Sequence, residues 1–524
     1  MSILPLTDWI RNAAAALSSS FGTVSAQARL AGCSRQTVYD QAHKVQAALD
    51  LQQSGCPHCQ QLRQENQQLR LDLHEARQRL DQAIDCGRKR QAQLAVLLCA
   101  LGVSINQILQ VLLLLLGKVR CPGRATVGRW LRQAELASGR VLVLLDRRTQ
   151  PVARLLAPDE IFFHGRPTLV AVEPASLAIL LCQRAADRTG ATWAAALRPF
   201  VNLEAVVSDA GTGLAAGLDA FEAARRQQHP ADQPAPKPLD RCLDVFHTEK
   251  EAQVVLARLW RQLERAWDKA EAADRQVAKD KREWYDARGS AARARAAWRR
   301  AEEAFAAHER AEQAWQRAKA ALAVWRADGQ LNERAWAEGE IAAACRVLRG
   351  MAWRKVRALL QDPRALAFLD RMHRRLETAE PRAEVRAALV ELVRLEQAAW
   401  SGAAVAIGMC LAQRVMCAHL AKDWKESYAG VARELGSVVR ASSVVECVNS
   451  VLRMHQGRHR GMSQGLLDLK RLYWNTRVLG SGRRKGKCPY QLLGVPLPSY
   501  DFWTLLQSDR EKLEQQLSTI QVAA

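Results

Sequence analysis

Hydrophobic positions along this chain change period more than once, and each change marks an expected element. Val24 to Leu30 carries helix formers, Ala31-Gly32-Cys33-Ser34 supplies a turn with Ser34 as N-cap, and Arg35-Gln-Thr-Val-Tyr-Asp-Gln opens a second helix. Leu62, Asn66, Leu69, Leu73, Ala76, Leu80 and Ala83 alternate by four and three, the seam of a short heptad repeat. Helices resume from about 91, break at Leu101-Gly-Val-Ser104, stop at Gly117 and restart after Cys121-Pro122-Gly123. In that last helix Thr126 and Arg129 are expected outward, with Val127, Trp130 and Leu131 inward.

The period then shortens. Val141–Leu145, Ala157–Phe163, Thr168–Pro174, Ala178–Cys182 and Glu204–Asp209 read as strands, with a turn at His164-Gly-Arg-Pro167 and a helix over about 188–198. Strand, hairpin, strand, helix, strand predicts an α/β core. A Pro-rich break over 227–238 precedes a stretch, 250–435, that reads as helix almost throughout and carries eight tryptophans from Trp260 to Trp353. From 436 the pattern returns to mixed character, with a basic loop at Ser481–Lys487, a break at Pro496–Ser499 and a closing helix from about Tyr500.

The expected fold class is multidomain, α plus α/β. The layout runs as a helix-turn-helix over 1–50, a CxxC and coiled-coil dimerisation segment over 51–90, and a second helix-turn-helix-like unit over 91–138. The α/β core follows in two parts, 139–249 and 436–480, separated by the helical insertion 250–435, with a basic tail over 481–524.

Composition narrows the partners. The 524 residues include 76 Lys and Arg against 54 Asp and Glu, a formal charge of +22, which favours a polyanion through counterion release. The apolar run Val111–Leu116 ends at Gly117-Lys118, well short of the roughly 20 residues a membrane span needs. The first residues show neither the basic stretch nor the cleavage site of a signal peptide, and thirteen thinly spread cysteines suggest no disulfide framework. The chain reads as cytoplasmic, associated with the nucleoid and not with a membrane.

Several local motifs admit two readings. Arg35, Gln36 and Thr37 sit where a recognition helix meets base edges, and Thr126 and Arg129 stand likewise in the second unit; each unit could equally be a structural helical hairpin. Cys56-Pro-His-Cys59 is at best half a zinc site, since a closed site needs four ligands, and reduced thiols at a turn are the plainer account. With Leu62 at d, Asn66 falls at a, the slot where a buried Asn favours a parallel, in-register pair; the alternative is one amphipathic helix packed on its own chain.

Three acids stand out by placement. Asp159 lies on an early strand, Asp209 at the end of a buried strand, and Glu446 in the first turns of a helix whose Asn449, Ser450 and Arg453 share its face. Buried acids need partners, and divalent cations are one way to hold several together. Taken singly, each acid is as well explained as a turn or cap residue.

The context of all three goes further. Pro158–Pro174, Val207-Ser-Asp-Ala-Gly-Thr-Gly213 and Val444-Val-Glu-Cys-Val-Asn449 resemble bacterial DDE transposases with a ribonuclease-H-like catalytic core. The resemblance implies that Asp159, Asp209 and Glu446 bind two Mg²⁺ (or Mn²⁺) ions, and that Asn449 and Arg453 lie near DNA. It further implies Mg-dependent cleavage at mobile-element ends and strand transfer into double-stranded target DNA, by a homodimer or higher oligomer. Asp209 stands 50 residues after Asp159, a usual span, but Glu446 stands 237 after Asp209, which resembles transposases with a helical insertion, the hAT group among them. Leu243-Asp244-Val-Phe-His247 resembles the Asp/Cys-x-x-His motif seen there, which makes His247 a candidate strand contact and Asp244 a rival ligand to Glu446. Arg484 and Lys485 of the basic loop are further candidate DNA contacts. A sequence-specific DNA-binding regulator with an inactive core, and a ribonuclease-H-like nuclease without strand transfer, are the competing functions.

Overall fold

The computed structural model describes the chain except residues 1–5, 19, 54–56, 83–86, 210, 229–236, 401–403, 441, 458–460 and 521–524. Cys56 and Ala83 of the motifs above therefore lie outside the described residues, as does the Cys59 side chain. The chain divides into two compact units, Met1–Arg90 and Gln91–Ala524. Among the described residues no helix is long and apolar enough to cross a membrane.

The first unit holds α1 (Leu6–Leu17), α2 (Thr23–Leu30), α3 (Arg35–Gln53) and α4 (Pro57–Gln82). Alternation of small apolar residues leaves Ala13, Ala28, Val38 and Ala42 buried between α1, α2 and α3. A core this small gains specificity from an amide network: Asn12 donates to Gln41 Oε1 (2.6 Å) and accepts from Gln27 Nε2 (2.9 Å), tying the three helices together. The turn between α2 and α3 has Gly32 at φ +61°, and Ser34 Oγ accepts from Thr37 N at 3.1 Å, the expected cap of α3.

The second unit begins with α5 (Arg88–Ala100), α6 (Ile105–Arg120, kinked at Gly117) and α7 (Arg124–Thr149). Its sheet strands are β1 (Leu155–Phe163), β2 (Arg166–Glu173) and β3 (Ala178–Arg184), then β4 (Ala205–Ser208) and β5 (Asp240–Leu243), with α8 (Gly190–Leu197) and α9 (Thr212–Gln227) between β3 and β5. The long helices α10 (Val245–Arg282) and α11 (Arg288–Ala321) follow. After them come α12 (Arg334–Val347), α13 (Arg354–Leu360), α14 (Ala367–Ala379), α15 (Ala383–Trp400), α16 (Ala404–Leu420) and α17 (Trp424–Gly436). The chain ends with α18 (Ser443–Gln456), α19 (Gln464–Thr476), α20 (Pro489–Leu492), α21 (Phe502–Leu506) and α22 (Arg510–Thr519).

The sheet order is β3-β2-β1-β4-β5, with β1, β2 and β3 antiparallel and β1, β4 and β5 parallel. The β1–β2 turn is two residues, His164 and Gly165, both at positive φ, a geometry whose twist suits a tight hairpin. Alternation sorts the strands onto two faces. Ala157, Ile161, Phe163, Val170 and Val172 meet α5–α7 and α18–α22, whereas Leu156, Leu169 and Ala171 meet α8 and α9 around the fully buried Trp193. Helix α9 crosses α8 so closely that a Cβ on Gly217 would stand 2.4 Å from that of Trp193, so only glycine fits there. The insertion packs α10–α17 around its own core, which also takes in Val207, Cys242 and Leu243 of the sheet.

Several expectations change. Val141–Leu145, expected as a strand, lies within α7: Val141, Leu142, Leu144 and Leu145 are buried and Val143 exposed, a helical stripe. A short apolar run fits either period, and here the tertiary core decides. The boundary expected at 138/139 falls inside that same helix, and α5–α7 share one core with the sheet. From 436 onward the described elements are all helical. Within the stretch expected as a tail, Tyr490, Val495, Phe502, Leu505 and Leu513 join the same core, so the described part of it, through 520, is packed. Edge strand β3 is covered by α19, whose Asn475 exchanges hydrogen bonds with the Ile179 backbone (2.8 and 2.9 Å) and whose buried Arg471 bonds Ile179 O, Leu180 O and Asp146 of α7.

Candidate active site

Strand register assembles the acids. Leu156 pairs with Val206 in the parallel β1–β4 ladder, so Asp159 and Asp209, each three residues further on, reach the same level of the sheet. Ser208 pairs with Leu243, which brings Asp244 to that level on the next strand. Helix α18 packs across β1 and β2 and carries Glu446 in its first turn. Asp159, in the middle of β1, thus lies level with the ends of the neighbouring β4 and β5, where Asp209 and Asp244 stand, while Glu446, 287 positions after Asp159, comes from α18.

Asp159 is half-buried, accepting from its neighbour Glu160 N at 2.8 Å and from Asn449 Nδ2 at 2.5 Å. Burial pushes its carboxyl up to about 6, the charges of Glu446 and Asp209 add to the rise, and the Glu160 amide and His247 oppose it. Asn449 is fully buried and its Oδ1 has no hydrogen-bond partner. Asp209 caps the turn after β4 by accepting from Gly211 N at 3.0 Å; a Cβ on Gly211 would come within 2.9 Å of that carboxylate and displace it. Glu446 is mostly shielded and stands 3.9 Å from the half-exposed Arg453 guanidinium, a loose ion pair.

Asp244 is not a free rival to Glu446. Its side chain is fully buried and accepts four hydrogen bonds: from Phe246 N (2.8 Å), from Ser442 N (2.9 Å), from Ser442 Oγ and from His247 Nδ1 (2.8 Å). Burial pushes this carboxyl up, but the bonds from His247 and Ser442 outweigh it and hold the group below its ordinary value. The same residue is the N-cap of α10, while Ser442 is the N-cap of α18. Asp244 therefore ties the start of the insertion to its end 198 positions later, assisted by Val245 N bonding Arg440 O at 3.0 Å. His247, in the first turn of α10, has its pKa raised, chiefly by the bond to Asp244, with Asp209 and Asp159 contributing through space. The imidazole thus borders the acid cluster, with Asp244 and the other acids favouring its protonated form.

The other expected contacts are scattered. Arg35 and Gln36 are exposed at the start of α3, with Gln36 bonding Asp40 at 2.9 Å, while Thr37 is half-buried. On α7, Arg129 is exposed, Thr126 half-buried, and Val127 and Leu131 are in the core. Lys485 is exposed, and Arg484 donates to Ala175 O (2.8 Å) and Pro174 O (3.0 Å), so its guanidinium is held at the β2–β3 turn. Ser442 escaped sequence reasoning because a serine before a helix signals only a cap, and nothing local names its partner. Arg188 did too: it bonds Glu160 beside Asp159 at 2.5 Å and lies over Phe162.

Among the described residues no three His, Cys, Asp or Glu side chains converge closely enough to hold a single metal ion. The donor chemistry nonetheless suits a hard cation: an Asp159 carboxyl raised by burial and by the charges of Glu446 and Asp209, and a buried amide oxygen with no partner. No known protein family matches the chain, and no curated protein matches it significantly.

Proposed function

We propose that this chain is a DNA transposase with a ribonuclease-H-like core, cleaving the ends of its mobile element and joining them to target DNA with Mg²⁺. The observation that carries the reading is that Asp209, just after β4, and Glu446, on a distant helix, come near enough to Asp159 on the adjacent parallel β1 to act on its carboxyl through space. The strand order 3-2-1-4-5, with the second strand antiparallel, supports the fold assignment.

Asp159, Asp209 and Glu446 would hold two divalent ions, which supply activation of an attacking oxygen and stabilisation of a leaving oxygen. Asn449 fixes the Asp159 carboxylate by donating to it, leaving its own oxygen toward no other partner. His247, oriented by its bond to Asp244 and with its pKa raised by it, adds a hydrogen-bond donor for a scissile phosphate. Arg453 and the exposed Arg35, Gln36 and Arg129, with the charge of +22, supply attraction for DNA backbone and base edges. Such a protein would act at the nucleoid, as a dimer or higher oligomer.

The test is strand transfer with pre-cleaved ends. Substituting Ala for Asp159, Asp209 or Glu446 is expected to abolish joining while end binding persists. Wild-type joining by Asp209→Ala would refute the triad. Cleavage without joining by the wild type would make the chain a nuclease, and binding without cleavage a regulator.

A further inference from the structure

Helix α4 has no place in the core of its unit. Helices α1, α2 and α3 pack on one another, whereas residues 61–78 of α4 are exposed without exception. Leu62, Leu69 and Leu73 of the seam are exposed by 49, 65 and 52%. Most helical stability in proteins comes from packing an apolar face, so a helix of 26 residues with such an exposed stripe gains from a partner.

We propose that the partner is α4 of a second copy of this chain, paired parallel and in register, with the flanking charges choosing both partner and orientation. With Leu62, Leu69 and Ala76 at d and Asn66 and Leu73 at a, the g positions within 61–78 are Glu65 and Asp72, and the e positions are Arg63, Arg70 and Arg77. In a parallel pair each g residue faces the e residue five places later on the other strand. Glu65 then meets Arg70, and Asp72 meets Arg77, on both sides of the seam. An antiparallel pair would set the three e arginines against one another. Asn66 meets Asn66, which favours two strands and one register. Leu71, also exposed, falls on the outer face and takes no part. The pairing puts both copies of α1–α3 before the same end of the coil. It rests on no part of the catalytic reading, so either can fail alone.

Sedimentation equilibrium of the full chain at tens of micromolar tests this. The wild type is expected to be a dimer. The g-reversed variant Glu65→Arg/Asp72→Arg and the e-reversed variant Arg70→Glu/Arg77→Glu should each self-associate at least about tenfold more weakly. Mixed in equal amounts, the two should regain the dimer, since every flanking pair is then attractive. Leu69→Asp, which disturbs no buried contact within the monomer, should abolish association. A monomeric or trimeric wild type, a dimer that survives Leu69→Asp, or a mixture that fails to recover would overturn the proposal.

Discussion

Asp159 shows how a site can work against the stability of its own fold. Its carboxyl, raised to about 6, keeps a proton that the unfolded chain has already released near its ordinary value of about 4. Between those values the folded state binds more protons, so stability falls as pH rises through the window, by about 2–3 kcal/mol in all. Asparagine at this position carries no such penalty and retains an oxygen for Asn449 and the Glu160 amide. Without divalent cations, Asp159→Asn is therefore expected to melt above wild type at pH 7.5 and level with it near pH 4. A difference that did not shrink on acidification would show that charge is not the cause. What sequence revealed here was the identity of the acid. Its hydrogen-bond partner, Asn449, lies 290 positions away, and no local pattern pairs them.

Among elements, the antiparallel pair of α10 and α11 separates two roles for tryptophan that periodicity leaves mixed. Trp267 meets Trp298 edge to face at 5.3 Å, Trp260 meets His308 at the same distance, and Trp315 is fully buried. Trp284 is 93% exposed at the turn between the helices, where it adopts φ +57°. Stacking on an unpaired base needs a free aromatic face, which Trp284 has and Trp315 lacks. Trp315→Ala is expected to cost about 3–5 kcal/mol in denaturant unfolding, and Trp284→Ala less than about 0.5 kcal/mol. If Trp284→Ala keeps the melting temperature yet lowers DNA cleavage, the exposed ring acts on DNA; unchanged cleavage would leave it without that role. The helices themselves were legible from their Ala, Glu, Lys and Arg content, but not which ring faces solvent. The four arginines Arg293, Arg295, Arg299 and Arg300 are all exposed on α11, as a basic helix face requires.

For the molecule as a whole, a buried carboxylate helps to close the insertion. Asp244 holds the N-termini of α10 and α18 together, and α18 carries Glu446 and Asn449 to the sheet. Asp244→Ala would leave the Ser442 amide and hydroxyl and the His247 ring without their acceptor, at a cost of about 2–4 kcal/mol. It is also expected to lower strand transfer beyond what lost stability explains, with Asp244→Asn recovering stability in part because its one oxygen can keep two of the donors. An Asp244→Ala protein with wild-type unfolding would show that other contacts close the insertion. By itself the sequence determined features that adjacent residues settle together. The hairpin at His164-Gly165, the cap at Ser34, the heptad of α4 and the strands holding Asp159 and Asp209 all follow from periods, turns and caps within a few residues. Only the tertiary structure decided that Val141–Leu145 is helix, that Arg484 bonds the β2–β3 turn, and that Asp244 meets Ser442 and His247. The reason is physical: an apolar run satisfies either period, and a buried donor accepts whichever partner the packed fold brings within reach.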